Sequence, residues 1–223
     1  MAIQVDILKR TPYFSGLSPA ALDSIAKLIF EKKVERGEIF LLEGEADEVL
    51  YFVASGAVKV FKTSAEGKEQ ILDIARPGDS FNDVAVFDGG PNPAAAQAMA
   101  AVVLYGVRKN HLEAIIQDYP QVATNVIRVL ADRIRYLVSL VEDLSFKHVI
   151  GRIAKILLEY AGSGTGTGQR LTQQDMAAMA GTVREVVGRS LKVLEEKGII
   201  KLDHHRIIIA DREALKKIIE APS

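Results

Sequence analysis

The chain of 223 residues, 48% hydrophobic and 26% charged, is long enough for about two domains that each bury a core. It contains no cysteine, which excludes disulfides, thiolate zinc sites, cysteine-held iron–sulfur clusters and thiol redox switching, and no apolar run approaches the roughly 18 residues that span a bilayer. The net charge of −1 hides a division: residues 1–144 carry 15 Lys and Arg against 20 Asp and Glu, whereas residues 145–223 carry 13 against 9, so the positive field belongs to the C-terminal third.

The opening Met1-Ala2-Ile3-Gln4-Val5-Asp6 lacks the basic-then-apolar order of a secretion signal, and a cytoplasmic location with no membrane partner is expected. Ser18-Pro19 starts a short amphipathic helix through Ala20, Ala21, Leu22, Ile25, Leu28 and Ile29, with serine as cap and proline in the first turn. From Gly37 to Val107 short apolar segments alternate with glycines: Ile39 to Leu42, Val49 to Val53, Val58 to Phe61, Ile71 to Ile74, Val102 to Val107. That spacing predicts an antiparallel sandwich or barrel, with a hairpin turn at Ser64-Ala65-Glu66-Gly67-Lys68. His111 is expected to start or face the helix that follows.

A long helix is predicted from Pro120 to Leu144. Its Ala123, Ile127, Leu130, Ile134, Leu137, Val141 and Leu144 alternate at spacings of four and three, an a/d seam that favours pairing with a second copy of the same helix. Packing on its own barrel is the alternative. Arg128, Arg133, Arg135, Glu142 and Asp143 fall off the seam, where solvent-facing charge is expected.

Val149 to Leu158 reads as a further helix, followed by the glycine-rich run 162–168. No strand feeds that run and no Gly-Lys-Ser/Thr closes it, so a connector is expected rather than a phosphate cradle. Thr172 with Asp175, and Thr182 with Glu185, each read as a capping box at a helix start, with Gly181 as the turn between the helices and Gly198 ending the second. This is helix-turn-helix spacing. Val183, Val186, Val187, Leu191 and Leu194 are expected on the buried side of the second helix, and Arg184, Glu185, Arg189 and Lys192 on or near the other. A recognition helix enters the major groove N-terminus first, which brings Arg184, Glu185 and Arg189 to base edges. Arginine suits guanine O6 and N7, and glutamate suits cytosine N4. Thr172, Thr182, Lys192 and His204 complete the expected DNA contacts. Ile199 to Leu202 and Arg206 to Ile209, joined by Asp203-His204-His205, form the hairpin of a wing, and adjacent strand histidines point to opposite faces, which disfavours a two-ligand metal site.

The chain resembles the CRP/FNR family of transcription regulators over nearly its whole length. The resemblance is carried by Gly37-Glu38-Ile39-Phe40, Gly56-Ala57-Val58-Lys59-Val60, Arg76-Pro77-Gly78-Asp79-Ser80-Phe81, the heptad helix, and Arg184-Glu185-Val186-Val187-Gly188-Arg189. It implies an α+β protein: an N-terminal cyclic-nucleotide-binding-like β-barrel of jelly-roll type (1–118), a dimerisation helix and hinge (119–146) and a winged helix-turn-helix domain (147–223). It also implies a homodimer, double-stranded DNA with a palindromic TGTGA-like operator, allosteric control by a small effector, and RNA polymerase as a partner.

The sensor end departs from the family pattern. Where cyclic-AMP binders hold ribose with Gly-Glu and phosphate with Arg-Ser, this chain has Asn82-Asp83 and Asn92-Pro93, and Leu137-Val138 replaces the Thr-Ser that meets the base. A phosphate without its guanidinium loses its strongest charge-assisted hydrogen bonds. The expected effector is therefore not cyclic AMP, and the pocket is assigned to Asp83, Val84, Asn92 and Ala94 with Leu130, Ile134 and Leu137. A small apolar or neutral effector, activity without effector, and a haem or gas sensor with unusual ligation stay open. Two other readings compete. A cupin-type metalloenzyme needs inward histidines, and residues 37–107 contain none, so no enzyme is expected. An interaction module that does not touch DNA is disfavoured by the basic C-terminal third and the Arg184 face.

Overall fold

A computed structural model of the chain describes residues 5–160, 171–203 and 206–220; the glycine-rich run and His204 lie outside the described residues. Two compact units are present, residues 1–62 with 71–135, and residues 63–70 with 136–223. Among the described residues no helix is long and apolar enough to cross a membrane.

The first unit opens with α1 (Val5–Arg10), a 3-10 turn (Pro12–Phe14) and α2 (Pro19–Ala26). Ser18 caps α2 by accepting from Ala21 N, as its sequence predicts. The helix stops three residues short of Ile29, however, which instead starts β1 (Ile29–Val34). β2 (Ile39–Leu41), β3 (Val49–Ser55), β4 (Val58–Thr63), β5 (Glu69–Ala75), β6 (Ser80–Phe81), α3 (Asp83–Asp88), β7 (Ala95–Ala98), β8 (Val102–Arg108) and α4 (Lys109–Asp118) follow. The strands form two four-stranded sheets, ordered β1-β8-β3-β6 and β2-β7-β4-β5. They face one another in a jelly-roll-like sandwich, one of the two arrangements that the strand spacing predicts, and do not close into a barrel.

The β3–β8 pairing explains the long apolar runs. Leu50 and Phe52 of β3, with Tyr105 and Val107 of β8, point to a core shared with Leu8, Phe14, Leu22, Ile25 and Leu112. The alternate residues Tyr51, Val53, Val102 and Leu104 point to the space between the sheets, against Leu41, Val58, Ala96 and Ala98. A sheet covered on both faces carries apolar residues at every position. The chain passes from β3 in one sheet to β4 in the other through a turn at Gly56, whose φ is +85° and whose missing Cβ would come within 2.6 Å of Ala101 O. No other residue fits there.

The long helix α5 (Gln121–Phe146) extends two residues beyond the predicted end, and the two units divide it after Arg135. Val122 and Val126 are buried in the N-terminal core, with Val129 and Leu130 packed partly against it. On the heptad seam Ala123 and Leu130 are half-buried, but Ile127, Ile134 and Val141 are 67%, 62% and 64% exposed, and Leu137 and Leu144 are exposed with them.

The second unit holds α6 (Val149–Tyr160), α7 (Gln173–Ala180), α8 (Arg184–Glu196), β9 (Ile200–Asp203), β10 (Arg206–Ile209) and α9 (Arg212–Glu220). Its core joins Ile153 and Leu157 of α6, Met176 and Ala177 of α7, Val187, Leu191 and Leu194 of α8, Ile200 of the hairpin and Leu215 of α9. The helix α9, which follows the wing, is an element not expected from the sequence. β9 and β10 pair antiparallel, with Leu202 opposite Ile207.

Candidate functional site

The helix-turn-helix is set from α7. Thr172 Oγ1 accepts from Asp175 N (3.1 Å), and Asp175 Oδ2 accepts from Thr172 N (2.9 Å), so the first capping box forms as expected. Thr172 also donates its hydroxyl proton to Asp175 (2.7 Å). As a DNA contact it has no proton left for a phosphate, and the free donors at this end are backbone N–H groups of the first turn. Gly181 ends α7 at φ +63°; a Cβ there would lie 2.8 Å from Leu144 Cδ2. Arg152 of α6 fixes this end of α7 by donating from Nε to Ala180 O (2.7 Å) and from Nη1 to Lys147 O (2.5 Å).

The second capping box does not form. The cap of α8 is Val183, its side chain makes no capping bond, and Thr182 instead donates its backbone N–H to Ala177 O (2.9 Å). The helix starts at Arg184, too late for Thr182 to reach its first turn as a cap. Val183, expected on the buried side, is consequently exposed.

At about 100° per residue, Arg184, Gly188, Lys192, Glu185 and Arg189 lie within an arc of about 140° of α8. Ser190, Leu194, Val187 and Leu191 form the opposite, buried side. Arg184, Glu185, Arg189 and Lys192 are all exposed. Only Lys192 has an ion-pair partner among the described residues, Glu196 at 3.8 Å. Gly188, between the two arginines, presents no side chain that would hold a flat surface away from them. Glu195 Oε1 accepts from Leu202 N (2.9 Å) and so ties the wing to the recognition helix.

The end of α5 is anchored by charge. Asp143, expected in solvent, is buried and ion-pairs with Lys147 (2.6 Å) and Lys155. Burial pushes its carboxyl up, but the two ammonium groups outweigh that and hold it below the usual carboxylate range.

In the N-terminal unit, Asp83 is 1% exposed. The Tyr13 hydroxyl and the Ser80 hydroxyl (3.1 Å) both donate to Oδ1, and Arg133 of α5 ion-pairs with Oδ2. Arg133 Nη2 also donates to Ser80 O (2.7 Å). Both carboxylate oxygens are thus engaged within the unit. Asn125, one helical turn before Val129, donates to Tyr13 O (3.0 Å) and Ser15 O (2.9 Å) and holds the tyrosine in place. Asp73 of β5 is raised by burial, an effect that the Arg133 charge opposes. Arg133, expected as a solvent-facing charge, instead turns to this carboxylate, and no site role was assigned from the sequence to Tyr13, Ser80 or Asp73.

Asn82 adopts the left-handed conformation (φ 68°) ahead of α3 and donates to Asp47 O and Val49 O (3.1 and 3.0 Å). Asn92 is buried, and its Nδ2 donates to Leu42 O (3.1 Å) and its N–H to Glu45 O (2.8 Å), so it braces the turn after β2. Pro93 follows it with no donor at all, and Ala94 is buried. Of the remaining residues assigned to the pocket, Val84, Ile134 and Leu137 are exposed and Leu130 packs on the core. His111 Nδ1 donates to Leu28 O (3.2 Å).

Residues 31–119 match the cyclic nucleotide-binding domain family, and residues 151–218 match the Crp-like helix-turn-helix domain family. The chain is 33% identical over 219 residues to the CRP-like cAMP-activated global transcriptional regulator of Mycobacterium tuberculosis, covering 95% of this chain and 98% of that protein. It is 31% identical over 211 residues to the cyclic AMP receptor protein of Thermus thermophilus, again covering 95% and 98%. The structure is similar to that of FixK2 from Bradyrhizobium japonicum, with a TM-score of 0.77 at 26% identity over 87% of this chain and 99% of that one. With both of its domains matched and full-length relatives of this similarity, the chain belongs to the CRP/FNR family of DNA-binding transcription regulators, a family of regulators and not of enzymes.

Proposed function

We propose that the chain acts as a cytoplasmic homodimer that binds a palindromic operator with TGTGA-like half-sites and works with RNA polymerase, and that its N-terminal domain does not use cyclic AMP. The observation that carries this reading is the exposed Arg184-Glu185-Arg189 face on α8, free of ion pairs with the described residues and set in a Crp-like helix-turn-helix. Arginine and glutamate at the entering end of the helix supply donors for guanine and an acceptor for cytosine. The uncapped first turn of α8 leaves N–H groups and a positive helix end, both suited to a DNA phosphate. The exposed apolar stripe of α5 supplies the self-complementary surface that a two-fold dimer needs.

Against cyclic AMP stand two facts of the sensor domain. Residues 92–94 offer no cation, and the guanidinium of Arg133 is already paired with Asp83. The relatives named for cyclic AMP share about a third of their sequence with this chain. A small neutral effector, or none, fits this domain better. The bond from His111 Nδ1 to Leu28 O leaves Nε2 as the only ring nitrogen that could ligate a haem.

The test is a binding titration on a TGTGA palindrome with half-site centres one helical turn, about 34 Å, apart. Arg184→Ala is expected to cost about 1–3 kcal/mol of discrimination per half-site while non-specific binding falls much less. Equal loss on specific and random DNA would overturn the base-reading role.

A further inference from the structure

Val183 occupies the capping position of the recognition helix. Its backbone is extended (φ −112°, ψ 155°), its side chain caps nothing, and it is 51% exposed. Serine, threonine, aspartate or asparagine at this position would accept a first-turn N–H and stabilise the helix. Valine forgoes that bond and places two methyl groups in water beside Arg184. Core packing does not explain the choice, because the buried side of α8 consists of Val187, Ser190, Leu191 and Leu194.

A helix that enters the major groove N-terminus first brings its cap and first turn nearest the base edges. The apolar feature displayed there is the thymine C5-methyl group. We infer that Val183 is a specificity-determining residue that packs against a thymine methyl next to the base pair met by Arg184. The inference rests on the base-reading role proposed for α8. It assigns to the apolar cap a share of recognition that Arg184, Glu185 and Arg189 cannot supply, since their charged ends recognise hydrogen-bonding groups and not a methyl.

The experiment uses the full-length protein and an operator in which each thymine of the half-site is replaced in turn by deoxyuridine in both half-sites, which removes the methyl and leaves base pairing intact. At one position the wild type should bind about fourfold more weakly per half-site, the value of one buried methyl. Val183→Ala should bind the thymine operator with the same loss and no longer distinguish thymine from uracil at that position. Val183→Ser should behave likewise while its thermal midpoint stays level or rises, because serine restores the cap. If no uracil weakens the wild type, or if both variants keep its methyl preference, the inference fails. Arg184→Ala on the same operators separates the two claims: retained sequence preference sinks the base-reading role itself, whereas lost preference with unchanged methyl sensitivity in the Val183 variants sinks only this inference.

Discussion

Removing the Arg133 guanidinium would leave the Asp83 carboxylate buried with only two hydroxyl donors, Tyr13 and Ser80. Breaking one side of a buried pair costs about 3–5 kcal/mol, most of it the desolvation of the orphaned charge. Arg133→Met is expected to lower stability by about that much in denaturation of the full chain, and Asp83→Leu combined with Arg133→Met should recover most of the loss. A cost below about 1 kcal/mol for the single variant would show that the pair does not hold α5 to the sheet domain. The signal for Arg133 was present in the sequence: Val122, Val126, Val129 and Arg133 repeat at four, three and four residues, a second stripe in which the last member is charged. An arginine that continues an apolar stripe needs a buried acid, and a heptad reading of the other face passes over it. Val183 escaped for a different reason. Its apolar type fits the buried stripe, and only the late start of α8 turns it outward.

At the scale of elements, α5 carries opposite demands on its two sides. One side packs on the N-terminal core through Val122, Val126 and Val129, and the other leaves Ile127, Ile134 and Val141 in solvent within a single chain. Such a stripe has the spacing of the narrow seam of a two-stranded coiled coil, as the proposed homodimer requires. Ile134→Asp with Val141→Asp should therefore convert a dimer to a monomer in sedimentation experiments without lowering the helical signal, because neither residue packs in its own chain. Dimers that survive both substitutions would place the interface elsewhere. The same helix was legible in the sequence because a heptad repeat over six spacings has few alternatives. β7 was not, because Ala95-Ala96-Gln97-Ala98 has poor strand propensity; it is a strand because Ala96 and Ala98 fit the narrow space against Val58 and Leu41 between the sheets. β1 was hidden by Glu31, Lys32 and Lys33 in its middle, which interrupt the apolar pattern.

For the whole molecule, coupling between an effector and DNA is reciprocal: an effector that tightens operator binding must itself bind more tightly in the presence of the operator. A cyclic nucleotide could act in this chain only by finding a cation for its phosphate. Arg133 is the guanidinium beside Asp83, and taking it would strand a carboxylate that is 1% exposed. The cost of that exchange opposes binding by roughly the 3–5 kcal/mol of the broken pair, or a factor of about a hundred to several thousand in affinity. Micromolar cyclic AMP should therefore leave both the operator affinity and the thermal midpoint of the full-length protein unchanged, since a ligand that does not bind the folded state cannot shift either. Arg133→Met would leave this result unaltered. A tenfold gain in operator affinity on adding cyclic AMP, abolished in Arg133→Met, would mean instead that Arg133 leaves Asp83 for the phosphate, and that the pair is the switch by which the sensor domain answers its nucleotide.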